Sequence, residues 1–279
     1  MLWNRNKLFC EINPTCYAIS VQKEIVMRYI RDLLSGEKFP KTRELTPFPH
    51  LVYEHSGNMI KRAPGVELEL QENKAVNIDL ACRRLNGLVL HPGELFSFWR
   101  TVGKPSKRKG YKDGRVIYKN KLIPGIGGGL CNLGNTVHLM ALHSPLEVTE
   151  VYHHSDALAP DEGKRVPYSA GTSVSYNRQD LRFRNCTDQD VQLLLWCEGE
   201  ILHAQLRSRE PFPCNYALVE EGHHFRKEGE KYYRVSKIYK RITDAVTGEE
   251  RGRVLVRDNH SEVMFDPALI PREQLLENV

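Results

Sequence analysis

A chain of 279 residues with 41% apolar and 27% charged side chains is long enough for a substantial core and ordinary in composition for a folded protein. Its net charge of +5 is mild, and the basic clusters at 104–112 and 234–241 sit in no recognisable nucleic-acid module, so nucleic acid is excluded as an expected partner. Seven cysteines, at 10, 16, 82, 131, 186, 197 and 214, show no disulfide rhythm; with no apolar leader and no run approaching a membrane span, the expectation is a cytoplasmic protein with free thiols and no transmembrane segment.

In chain order, residues 21–34 carry Val21, Ile25, Tyr29 and Leu33 on one stripe and predict an amphipathic helix stopped by Ser35-Gly36. Residues 37–62, rich in Pro, Lys and His, read as an irregular bridge with a short strand at 51–53. A second helix is predicted over 73–86, then a strand at 88–90, a turn at His91-Pro92-Gly93 and an apolar run at 95–99. Short strands at 116–118 and 122–123 pair across 119–121 and lead into Gly127-Gly128-Gly129-Leu130-Cys131. Leu133, Val137, Met140 and Ala141 recur at helical spacing, which puts Cys131 at or just before the first turn of a helix. Strand-like runs follow at 146–152, 172–176, 181–185, 191–196 and 201–206, with a polar loop to Lys164 and a breaker at Pro211-Phe212-Pro213. The remainder reads as short strands at 231–239 and 253–257 around a Thr247-Gly248 turn, with an exposed tail from Pro271. The organisation expected is a lead-in over 1–62, a core domain over 63–210 and a small strand-rich region over 211–279. The fold class is α+β, an antiparallel sheet packed with a few helices, in an order shared with papain-like and transglutaminase-like folds.

The chemistry centres on Cys131. A helix N-terminus favours thiolate over thiol, and a thiol nucleophile needs a base and a group to orient it. His154, at the end of a following strand and ahead of Asp156, is the favoured base; strand alternation sends His153 to the opposite face. His138 is two turns along the same helix and reads as an ordinary half-buried histidine. No two of Cys131, His138, His143, His153 and His154 fall into a zinc-knuckle or HExxH spacing, so no metal or cofactor is expected.

Five spaced motifs occur together in order: Pro92-Gly93-Glu94-x-Phe96-Ser97-Phe98, Gly110-Tyr111-x-Asp113-Gly114, Gly127-Gly128-Gly129-x-Cys131, His154-Ser155 and Asp180-Leu181-x-Phe183-x-Asn185. Over roughly residues 70–207 the chain resembles the VanW family, named for an accessory protein encoded in vancomycin-resistance gene clusters of Gram-positive bacteria. The resemblance implies a link to glycopeptide resistance or the cell envelope without implying a reaction. Where family members commonly have Gln after the cysteine and then a Ser/Thr-rich pair, this chain has Asn132 and then Gly134-Asn135; where many have an acidic residue, it has Gly171. If that acid orients the histidine elsewhere in the family, then here Asp156, Asp180 or a backbone carbonyl must do so, or this branch is not a catalyst. Asn132 can still supply an amide donor to an oxyanion.

Three readings follow. In the first, Cys131 and His154, assisted by Asn132 and Asp156, act on an amide or peptide bond, as in a peptidoglycan precursor. In the second, Gly127, Gly128 and Gly129 with Phe98, Trp99 and Tyr111 bind a small or peptide-like ligand such as a cell-wall precursor, and Cys131 is structural. In the third, the C-terminal region is an interface for a partner. The sequence leaves the oligomeric state open.

Overall fold

Asn13 and Pro14 decide where the first helix begins. Asn13 Oδ1 accepts from the Cys16 amide at 2.8 Å and Pro14 fills the first helical position, so α1 (Pro14–Leu34) starts a full two turns before the apolar stripe does. It ends at Ser35, with Gly36 at φ +70°, where the sequence places the stop. The computed structural model describes residues 8–62, 67–118, 121–154, 156–157, 160, 167 and 171–276, and the side chains of 117, 118, 121, 122 and 156 are outside that description. Ser155, the tip of the predicted 119–121 turn and most of the predicted loop to Lys164 lie outside it too.

The bridge region holds a longer strand than the sequence suggests. Strand β1 (His50–Asn58) is a sheet-edge strand whose sequence lacks a polar/apolar alternation, and its full length comes from the ladder it makes with a strand distant in sequence. Helix α2 (Leu68–Leu85) buries Gln71, Lys74, Asn77, Ile78, Ala81, Cys82 and Leu85; polar residues on the inner side of its first turns hide its start from a search for apolar periodicity. After β2 (Leu88–Leu90) and β3 (Leu95–Ser97), the apolar run turns into a short helix, α3 (Phe98–Val102). Ser97 causes the change: its hydroxyl accepts from the Arg100 amide at 3.2 Å and so caps the helix.

Strands β4 (Asp113–Tyr118) and β5 (Lys121–Ile126) form a hairpin, followed by α4 (Leu130–Leu142) and β6 (Glu147–Glu150). Then come β7 (Asp156–Ala157), β8 (Arg182–Arg184), β9 (Val191–Glu198) and β10 (Ile201–Ser208). The expected strand at 172–176 is a pair of isolated bridges, His153 with Thr172 and Ser175 with Gln179. The C-terminal region is three long strands, β11 (Cys214–Glu228), β12 (Lys231–Asp244) and β13 (Glu250–Val263), plus β14 (Leu275–Leu276).

One sheet runs β1-β10-β9-β2, a second β3-β8-β6, and a third β14-β11-β12-β13-β7. Pairing is antiparallel except where the two-residue strands β7 and β14 join the third sheet in parallel. Helix α4 is buried on nearly every side, against α2, β1, β10 and β6, and contributes Leu130, Leu133, Val137, Met140 and Ala141 to the main core. Ile78, Leu85, Leu90, Phe96, Phe98, Phe183, Leu193 and Leu206 complete that core. The fold is α+β, with helices packed on open, largely antiparallel sheets. No helix among the described residues is long and apolar enough to cross a membrane.

Candidate functional site

The glycine turn before α4 is held by close packing. A Cβ on Gly128 would lie 2.2 Å from the Gly114 carbonyl carbon on β4, and one on Gly129 would lie 2.2 Å from Lys74 Cγ. Gly127 and Gly129 also take positive φ values of +75° and +97°, where only glycine is unstrained. Asn77, fully buried on α2, locks the turn: its amide donates to the Gly128 and Lys112 carbonyls at 3.0 Å and its oxygen accepts from the Lys112 amide at 2.8 Å. Lys74 lies across the turn, and burial together with Lys61 and Arg115 brings its ammonium down to about 8. Sequence reasoning missed Lys74 and Asn77, whose only signal is that polar residues stand on the inner face of α2.

Gly129 caps α4, so Cys131 sits in the first turn, as the spacing predicts. The helix end favours its thiolate, but burial opposes this and prevails: the Cys131 thiol is pushed up, with the peptide group of Val174 pulling weakly the other way. Its sulfur donates to the Val174 carbonyl at 3.6 Å and accepts from the Val174 amide at 3.5 Å. The thiol thus closes one rung between α4 and the 172–176 segment.

Two further polar side chains continue from Cys131 along the same helix face, at i+4 and i+7. Asn135 Oδ1 accepts from the Thr172 hydroxyl at 3.0 Å and from its amide at 3.3 Å, and His138 Nδ1 lies 3.0 Å from the same hydroxyl. All three residues are buried. His153 pairs with Thr172 across the bridge, so the two side chains share a face, and the His153 and His138 rings lie 6.4 Å apart. Both imidazoles are kept neutral. Burial, then His153 and Lys240, takes His138 to about 3, while burial, then Arg257 and His154, takes His153 to about 4. Seven helical residues span about 10 Å, which separates the His138 backbone from that of Cys131 by more than a proton-transfer distance.

His154 is tied through its main chain: its amide donates to the Gly171 carbonyl at 2.8 Å and its carbonyl accepts from Arg257 at 3.1 Å. Arg257, from β13, also stands where a side chain at Gly171 would begin, since a Cβ there would meet its Nη1 at 2.9 Å. A cation therefore faces the position at which many relatives are expected to carry an acid. Asp180 is fully buried and its carboxylate accepts from Ser97 Oγ, the Trp99 and Leu181 amides and Arg182 Nε, which spends it on holding α3. Asp156 begins β7, paired in parallel with Glu262. Asn132 is half-buried, and its carbonyl accepts from the Thr136 hydroxyl at 3.2 Å. Phe98, Trp99 and Tyr111 are core residues, at most 5% exposed, with Trp99 packed edge-on against Phe98 and Tyr176 and its indole donating to the Gln179 carbonyl at 2.8 Å. Among the described residues no group of three or more His, Cys, Asp or Glu side chains is placed to hold a metal ion.

Comparison with known proteins agrees with the motifs. A family model described as VanW like protein matches residues 73–207. The vancomycin B-type resistance protein VanW of Enterococcus faecalis is 29% identical over 217 residues, covering 78% of this chain and 79% of that protein. An uncharacterised protein, YoaR, of Bacillus subtilis is 30% identical over 120 residues, 43% of this chain and 38% of that protein. No solved structure matches. The matched segment, which runs from within α2 into β10 and contains the glycine turn, Cys131 and the Thr172 network, is a VanW-like domain.

Proposed function

We propose that this protein serves glycopeptide resistance at the cell envelope as a non-catalytic module for a small or peptide-like ligand of cell-wall-precursor type, with Cys131 in a structural role. The link to resistance rests on the likeness to the Enterococcus faecalis protein. The structural role of Cys131 is carried by one observation: its sulfur exchanges hydrogen bonds with both polar groups of the Val174 peptide. Burial acts in the same direction, because it disfavours the thiolate that a nucleophile must present. The glycine turn supports the same reading, since its glycines are required by Gly114 and Lys74 packed against them. The test is the Cys131→Ser variant: it keeps the resistance phenotype of the parent in a susceptible host and the affinity for a soluble precursor peptide measured by calorimetry. Loss of both by a folded variant overturns the structural role.

A second reading, a thiol enzyme acting on an amide bond, has one observation in its favour. Cys131, Asn135 and His138 line one face of α4 opposite Thr172 and His153, and buried polar clusters of this kind are costly to keep in a core. It requires a Cys131 thiolate at neutral pH.

A further inference from the structure

Helix α1 is mounted with its apolar side outward. Ile25, Arg28 and Asp32 face the body of the protein: Arg28 pairs with Glu150 at 2.6 Å, Asp32 receives both guanidinium nitrogens of Arg182 at 2.7 and 2.9 Å, and the Ile25 carbonyl accepts from Asn177. At about 100° per residue, Ile19, Val26, Ile30 and Leu33 fall on the opposite side, and Met27 and Leu34 widen that face to about 120°. Ile19 and Val26 are each 53% exposed, Leu33 82% and Leu34 78%, in a helix with ordinary polar residues elsewhere. A contiguous apolar face of this width on the outside of a protein marks an interaction surface.

The exposed charges of α1 and of the segment that follows it are mainly basic. Asp32, Glu37 and Glu44 are each taken by an arginine of the body, namely Arg182, Arg184 and Arg209, and Glu150 of the body is taken by Arg28 of α1. Lys23, Arg31, Lys38 and Lys41 point into solvent, and among the described residues no ion pair engages them; Glu11 and Glu24 are the exposed acidic groups of the same stretch. Lys23 stands within the apolar face. A two-fold helix pair would bury two copies of that ammonium near its centre, whereas at a bilayer surface the aliphatic stem lies among acyl chains and the ammonium rises to the headgroups.

We infer that α1 is an in-plane membrane anchor, which seats the protein on a bilayer surface containing anionic lipid. The apolar side of the helix enters the headgroup boundary, Lys23 and Arg31 of the helix meet lipid phosphates, and the ionic side remains docked on the protein. This rests on α1 alone and stands or falls separately from the role of Cys131.

Vesicle flotation of the full chain tests it, with phosphatidylcholine vesicles alone or mixed with phosphatidylglycerol. The expected result is co-flotation with the mixed vesicles, lost at high salt and reduced at least about tenfold by Val26→Asp or Ile30→Asp. Both variants keep the parent circular dichroism and thermal midpoint, because the substituted positions are exposed. Val246→Asp, at a residue 94% exposed in the loop between β12 and β13, floats like the parent. No flotation, flotation indifferent to lipid charge, or flotation unchanged in Val26→Asp overturns the inference. So does a solution dimer that Val26→Asp dissociates and that shows no vesicle binding.

Discussion

The sulfur of Cys131 lies 3.5 Å from the amide nitrogen of Val174 and 3.6 Å from its carbonyl oxygen, so one thiol serves both polar groups of a single residue. That segment is otherwise poorly paired, held to its neighbours by isolated bridges, and side chains from α4 supply what a regular strand would have found in a ladder. The polar stripe Cys131, Asn135 and His138 therefore ties α4 to the 172–176 segment.

The first prediction concerns pH. His138 is held at about 3 in the folded protein against an ordinary 6.5, because burial disfavours its charged form. The unfolded chain binds the extra proton between those values, so the stability this residue provides is complete above about 6.5 and declines as pH falls toward its folded value, by about 1.4 kcal/mol per pH unit. His153, held at about 4, acts in the same direction. Urea unfolding across this range should show a steep decline in the parent and a shallower one in His138→Gln.

Arg257 is the charge set against His153. Arg257→Gln removes the cation that, after burial, most disfavours the imidazolium, so the His153 midpoint should rise from about 4 toward its ordinary range in a proton NMR titration. The same variant gives up a hydrogen bond to the His154 carbonyl, at a cost of about 1 kcal/mol in denaturant unfolding.

Two glycines with different reasons for being glycine should behave differently. Gly128→Ala drives a methyl into the Gly114 backbone, 2.2 Å away, and should destabilise by about 3 kcal/mol or prevent folding. Gly93 has φ +81°, but a methyl there would meet nothing within 4 Å, so Gly93→Ala should cost about 1 kcal/mol, from backbone strain. Thermal unfolding of the pair separates close approach from conformational freedom.

Arg182 bridges Asp32 on α1 and the buried Asp180. Arg182→Met leaves two buried carboxylates without their cation and should cost about 3–5 kcal/mol. Asp32→Ala should weaken the docking of α1 more than the core, visible as early proteolysis within 14–34 while β9 and β10 stay protected.

Much of this fold is legible in the sequence because it rests on local signals. The positions of α4, β2, β9 and β10 follow from apolar spacing, and the turn near Thr247 from its residues; Asp244 Oδ1 accepts from the Val246 and Thr247 amides there. What was hidden depends on partners far along the chain. Strand β1 has a strand's length only against β10, α2 begins among residues whose polarity is matched by the glycine turn, and α1 buries an ionic face, against the usual assumption that the apolar face goes inward. At the site, Cys131 at a helix start was readable. The neighbours of its face were readable only as i+4 and i+7 spacing, and the placement of His153 beside His138 required the bridge to Thr172, which no local pattern announces.

The structural role of Cys131 is tested most directly by its alkylation rate as a function of pH, resolved from the other six cysteines by mass spectrometry of the labelled peptides. The account predicts a rate that follows a thiol titrating above the ordinary cysteine range and is unchanged in His153→Ala and His154→Ala. A rate that is already at its plateau near neutral pH, and that falls when either histidine is removed, would contradict it.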